Sequence, residues 1–138
     1  MVRISANRAV PAPLNRVWEI VADVDNEPRH WRGLSSVRNV SKNGNVIERE
    51  VTVGVMNFRS LQTAVLNPKK SIETTMTEGV MTASRTMTLS PLEGGGTKVD
   101  VSWDIEIPSI PSLVKGNVKN GIAKGTEGAL DSIVTTVQ

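Results

Sequence analysis

Between Pro108 and Ser112 the hydrophobic period of this chain changes. Before that point Val99, Val101, Trp103, Ile105 and Ile107 alternate with Asp100, Ser102, Asp104 and Glu106, the two-residue period of a strand with one buried and one wet face. After it Val114, Val118, Ile122, Ala129, Ile133 and Val137 fall on one arc at about 100° per residue, which predicts a long amphipathic helix. Pro111 and Ser112 mark its N-terminal boundary, with Ser112 as a cap. A lone amphipathic helix has to bury its apolar arc, and the only partner large enough is the inner face of a sheet. The chain is therefore expected to be an α+β domain in which a sheet holds one C-terminal helix.

The upstream sequence supplies that sheet. Val2, Ile4 and Ala6 alternate with polar residues and predict a first strand over 2–10. In "PAPLNRVWEIVAD" turn-forming prolines precede Leu14, Val17, Trp18 and Val21 at helical spacing, and a second short helix or turn follows around "NEPRHW". From Ser35 to Pro108 turn signals at "KNGN", "GVMN", "NPKK", "EGVM" and "EGGG" cut the chain into six runs of strand length, spaced for an antiparallel meander. The expectation is one domain over 1–138 with seven strands, two short helices after the first strand, and a long terminal helix. At 138 residues such a domain buries roughly two-thirds of its unfolded surface.

Composition removes several classes of function. There are no cysteines, so disulfides, thiolate metal sites and Cys nucleophiles are excluded, and a single histidine excludes a multi-His metal site. The formal charge is only +2 and the basic residues are scattered without interleaved aromatics, which argues against nucleic acid as a partner. "MVRISANR" lacks the apolar region of a signal peptide and no apolar run reaches the length of a membrane span, so the protein is expected in the cytoplasm. No metal or cofactor is expected. Asp100, Asp104 and Glu106 are spaced along one strand rather than convergent and read as a solvated face.

The stretch "VPAPLNRVWEIVADVDNEPRHW", with Pro13, Val17, Trp18, Asp23, Pro28 and Trp31, resembles the start of helix-grip (SRPBCC) proteins, and "GTEGALDSI" is similar to the end of their long helix. That superfamily includes START lipid-transfer domains, birch-pollen-allergen-like proteins, polyketide cyclase/dehydratase-like proteins and coenzyme Q-binding proteins. The resemblance implies a curved sheet wrapped around the C-terminal helix, with a cavity between them for an apolar or amphipathic ligand such as a lipid, an isoprenoid quinone or a polycyclic aromatic. It carries no catalytic set with it, so binding or carriage of a small molecule is the first expectation. A cyclase or dehydratase using the same cavity is the alternative, and a module binding a macromolecular partner the third. Transient membrane contact and a monomeric or homodimeric state fit all three.

Residues for such a cavity follow from strand parity. If "EGVM" closes a hairpin, the face that buries Ile72 and Met76 also carries Thr74 and Glu78, and the next strand adds Ala83, Arg85, Met87 and Leu89. Glu78 and Arg85 then form either an inward pair that orients a ligand's polar end or a strand-end pair in solvent, since a one-residue bulge reverses the parity. Met76, Met87, Leu89 and Trp103, with Val118 and Ile122 from the helix, are the expected apolar wall. Trp18 and Trp31 read as scaffold. His30, the one candidate for general acid or base chemistry, reads as part of a surface turn because no nucleophile or oxyanion donor accompanies it.

"GNVKNGIAKGTEG" looks like a phosphate loop but fails on spacing, since Ile122 follows Gly121 where a lysine is required. On the helix Gly121, Gly125 and Gly128 form a stripe. Either they admit a closely approaching strand or they leave room and let the helix act as a lid, with Lys115 and Lys119 at the cavity mouth. The lid is the expectation.

Overall fold

The computed structural model describes the backbone of residues 2–53, 58–78, 82–106 and 112–138, and the side chains of 2–52, 59–76, 82–106 and 116–138. Strand β1 (Val2–Val10) leads into helix α1 (Leu14–Val21) and a 3-10 helix over Val24–Arg29. Six strands follow: β2 (Leu34–Asn43), β3 (Val46–Val53), β4 (Phe58–Asn67), β5 (Ser71–Glu78), β6 (Thr82–Pro91) and β7 (Thr97–Glu106). Helix α2 (Ser112–Val137) ends the chain. The strands form one curved antiparallel sheet in the order β1-β7-β6-β5-β4-β3-β2, so β1 and β2 are its edges. Fold class and element order are those expected from the sequence.

Short connections produce the meander. Asn43 pairs with Val46 around the two-residue loop Gly44–Asn45, and Gly44 has φ +62°, the first-position geometry that suits a hairpin and favours glycine. The "NPKK" and "EGGG" turns also lie where expected, whereas "GVMN" and the last three residues of "EGVM" fall outside the described residues. The expected strand residue Ile107 is outside them as well, as is the side chain of Val114.

The core lies between the sheet and the C-terminal half of α2. Val99, Val101 and Ile105 of β7 are at most 1 % exposed, as are Ala129, Leu130 and Ile133 of α2. Val17 and Val21 anchor α1 in the same apolar body, with Trp18 packed at its margin. Met87 and Leu89 of β6 also belong to this core. Toward its N-terminal half α2 is less covered: residues 116–125 are exposed or half-buried, including Val118 and Ile122. The helix is thus clamped at one end and less covered along its other, standing half, where Ile122 and Ala123 still pack against the small cluster of Ile4, Met76, Ala83 and Ile105. The gap left beside that contact positions the site.

Candidate functional site

The space under the standing half of α2 is an apolar cavity of about 240 Å³. Trp31 and Leu34 wall it from the segment after the 3-10 helix, Gln62, Met76, Arg85 and Trp103 from β4 to β7, and Val118, Gly121, Ile122 and Gly125 from the helix. A larger depression of the surface, about 530 Å³, lies outside the sheet-helix space and is ringed by the polar side chains of Arg29, His30, Arg32, Lys124 and Ser132. It shares Gly125 with the apolar cavity.

Two indoles define the cavity. The Trp31 and Trp103 rings meet edge to face, with centroids 5.9 Å apart and planes at 76°. Trp103 donates its indole N–H to Thr126 Oγ1 at 3.0 Å, and Thr126 donates in turn to the Ile122 carbonyl at 2.8 Å. Thr126 is fully buried, and this hydrogen-bonded link lies where α2 passes from its clamped half to its standing half.

Arg85 closes the inner end. Strand register places it between Thr74 of β5 and Trp103 of β7. Its guanidinium carbon sits 4.2 Å from the centre of the Trp31 ring and 5.5 Å from that of Trp103, within cation-π range of both. Its carboxylate partner is Glu27 of the 3-10 helix, at 2.8 Å. The other Glu27 oxygen accepts from Arg49 of β3, which also donates to Gln62 Oε1 and to the Val24 carbonyl. Burial pushes the Arg85 guanidinium below its ordinary pKa, Glu27 opposes that shift, and Arg49 reinforces it.

The sequence-based site is thus partly assembled and partly redistributed. Met76, Arg85, Trp103, Val118, Ile122, Gly121 and Gly125 converge on the cavity. Met87 and Leu89 do not line it; they face inward as expected but further along β6, in the main core that also takes in Val17 of α1 and Leu130 of α2. The register shift near the end of β5 passes over Thr77 and sets Glu78 opposite the exposed Leu61; the Glu78 side chain lies outside the described residues, and Glu27 is the carboxylate that Arg85 meets. Lys119, expected at the cavity mouth, is exposed and is not among the residues lining the cavity, and the Lys115 side chain lies outside the described residues. Trp31, read as scaffold, is a cavity wall.

The close-approach reading of the glycines is corrected too. A Cβ added at Gly116, Gly121, Gly125 or Gly128 meets nothing within 4 Å, because the helix borders open space at each. Arg49 and Glu27 were missed as site residues. Arg49 had a signal in strand parity, since it alternates inward with Ile47 and Val51 in "VIEREVTV". Glu27 had none, for a short turn has no two-faced period.

His30 is not a simple surface turn. It is half-buried, its Nδ1 lies 2.7 Å from Ser132 Oγ, and it faces the polar depression rather than the apolar cavity. Glu27 is not available to orient it as a base, as both carboxylate oxygens are held by arginines.

A pocket between a curved antiparallel sheet and one long helix defines a class of small-molecule-binding domains. The sequence matches the family described as polyketide cyclase/dehydrase and lipid transport over residues 1–138, and the chain belongs to it. Among solved structures the fold is shared with the Zhui aromatase/cyclase of a Streptomyces species, at 14% identity and TM-score 0.88, covering 98% of this chain and 92% of that one. A Thermus thermophilus protein aligns at 20% identity and TM-score 0.78 over 99% and 100% of the two chains. A START superfamily protein of Mycobacterium smegmatis aligns at 17% identity and TM-score 0.67 over 95% and 98%. Among curated proteins none matches the chain in sequence. Among the described residues no helix is long and apolar enough to cross a membrane.

Two predictions follow from these contacts. Glu27→Gln leaves two buried guanidiniums without their shared countercharge and should destabilise the fold by about 3–5 kcal/mol in urea unfolding; a loss below about 1 kcal/mol contradicts the assigned geometry. For His30, burial and the nearby Arg29 charge hold the ring below its ordinary pKa of 6.5, against the opposing pull of Glu27 and Asp23. Its contribution to stability is therefore complete above pH 6.5 and is lost as pH falls through the lowered value. His30→Gln should flatten the stability profile below pH 6.5, and a variant as steep as the parent there contradicts it.

Proposed function

We propose that this protein binds and carries an apolar or amphipathic small molecule in the cavity between the sheet and α2. The observation that supports this most directly is the wall itself: two indoles, a methionine and an arginine surround open space instead of filling it. Ligand burial there is driven by roughly 25 cal/mol per Å² of apolar surface, and Arg85 orients a polar end. The volume of about 240 Å³ suits a small fused-ring aromatic, a quinone ring or one end of a lipid. A cytoplasmic carrier of this kind would meet such ligands by transient contact with membranes or with enzymes that make them.

The names of the family and of the Zhui neighbour also fit a cyclase or dehydratase. That chemistry needs a group that moves a proton at the ligand. Among the described residues the titratable side chain on the cavity wall is Arg85, which holds its proton too firmly to shuttle it. Carriage therefore stands first.

Organic extraction of protein purified under native conditions, followed by mass spectrometry, should release a discrete apolar species in near-stoichiometric amount. Protein that is empty and also takes up no fused-ring aromatic or fatty acyl probe contradicts the reading. In the same reading the standing half of α2 is the lid. Gly121→Ala with Gly125→Ala should raise stability by up to about 2 kcal/mol through helix propensity, since each added methyl meets open space, and should slow ligand exchange. A stabilised double variant that exchanges ligand at the parental rate removes the lid.

A further inference from the structure

We infer that the cavity selects an anionic ligand, one whose acidic oxygen, a carboxylate or an acidic phenolate or enolate, seats against Arg85. This rests on the binding role proposed above and specifies its ligand class.

The first ground is charge balance. Among the described residues the buried cluster holds two guanidiniums and one carboxylate, with side-chain exposures of 0% for Arg49, 5% for Arg85 and 7% for Glu27. Glu27 uses one oxygen for each arginine, so among the described residues it neutralises one charge and leaves one excess positive charge largely withdrawn from solvent. A buried charge of that kind calls for a partner.

The second ground is where the excess is presented. Arg49 is committed at Nε, Nη1 and Nη2, and it does not line the cavity. Arg85 does line it, donates from Nη2 to Glu27 and, at 3.4 Å, to Thr74, and leaves a buried Nε with no hydrogen-bond partner. Trp31 and Trp103 attract the positive charge through their ring faces but supply no lone pair for an in-plane N–H.

The third ground is the polar character of the wall. Gln62 gives its oxygen to Arg49, so its amide can offer the cavity only N–H donors, and the Trp103 N–H is already used on Thr126. The side chains around Arg85 therefore ask for an acceptor. A ligand oxygen that carries charge satisfies the donors and cancels the excess together, whereas a neutral carbonyl meets only the first need.

The test compares naphthoate with naphthamide substituted at the same ring position, two probes of equal shape that differ in charge, by isothermal titration calorimetry near neutral pH. The carboxylate should bind at least about tenfold tighter, the discrimination a charge-assisted hydrogen bond supplies. Arg85→Gln should reduce that ratio to about threefold or less while naphthamide still binds, and Arg85→Lys, which keeps the charge, should retain a preference. The parent protein alone decides the matter if the Gln variant fails to fold. Naphthamide binding as tightly as naphthoate, or tighter, overturns the anion preference and leaves the carrier reading standing. Binding of neither probe also overturns the anion preference, while the carrier reading falls only if the protein is in addition empty on extraction and takes up no fatty acyl probe.

Discussion

Glu27 holds the site together. It sits on a turn of 3-10 helix with weak local preferences of its own, yet its carboxylate bridges Arg49 of β3 and Arg85 of β6, strands separated in the sheet by two others. Through Glu27 the segment that carries Trp31 is fixed over the inner face of the sheet. Other contacts tie the same segment down, among them Arg49 to the Val24 carbonyl and His30 to Ser132, but the Glu27 bridge is the one that joins it to Arg85, over which the Trp31 indole sits at 4.2 Å. Buried ion pairs contribute little net stability against well-packed apolar residues, but they define position sharply because every misplacement exposes an unpaired charge to a low-dielectric interior. The cluster is thus an instrument of geometry: it converts an otherwise ordinary inner sheet face into a wall with one oriented cation.

A second constraint acts along α2. Its C-terminal half carries Ala129, Leu130 and Ile133 into the core, where burial is nearly complete. Toward the N-terminus the helix is less covered, and beyond the Trp103–Thr126–Ile122 hydrogen-bond chain its described hold on the sheet is the packing of Ile122 and Ala123 against Ile4, Met76, Ala83 and Ile105. A threonine hydroxyl bonded to the carbonyl four residues back tends to bend a helix slightly. The bond therefore serves two ends. It satisfies the indole N–H at the cavity wall, and it marks the point from which the standing half diverges. Glycines at 121 and 125 follow at that divergence, where side-chain packing no longer enforces rigidity.

Most of the architecture was legible in the sequence because it rests on period. Val99 to Ile105 show a two-residue repeat, α2 a helical one, and the turns carry Gly, Asn and Pro where the chain reverses. Parity also brought Met76, Arg85 and Trp103 to one face. What it could not give was the partner of Arg85. A register shift in the backbone pairing skips Thr77, so the count by twos does not run on past Met76, and bulges leave no clear mark in composition. Glu27 lies 58 residues from Arg85 on an element without a repeating face, so no local rule connects them. Arg49 was within reach of the alternation rule, but a charged residue at an inward position invites a solvent reading until its carboxylate is known. The apolar wall was misjudged by position along a strand rather than by face: Met87 and Leu89 point inward, but they lie in the packed core and not along the part of β6 that borders the void.

The standing half of α2 bears on function through energetics. Four glycines within one helix disfavour it by about 4 kcal/mol relative to alanine, a large part of the 5–15 kcal/mol by which domains are stable. Close approach does not explain them, since an alanine Cβ would meet no neighbour within 4 Å at any of the four. Nor does core packing explain the two that border the cavity, Gly121 and Gly125, because the apolar space beside them is left unfilled by Met76, Val118 and Ile122, each within reach of it. Folding alone would favour larger side chains there, and unfilled apolar volume weakens a fold in proportion to its size. At Gly121 and Gly125 helix propensity and packing are both sacrificed beside one cavity, whose wall includes a buried arginine with an unused N–H. Two independent losses of stability that converge on one space are better explained by an occupant of that space than by two separate accidents of sequence.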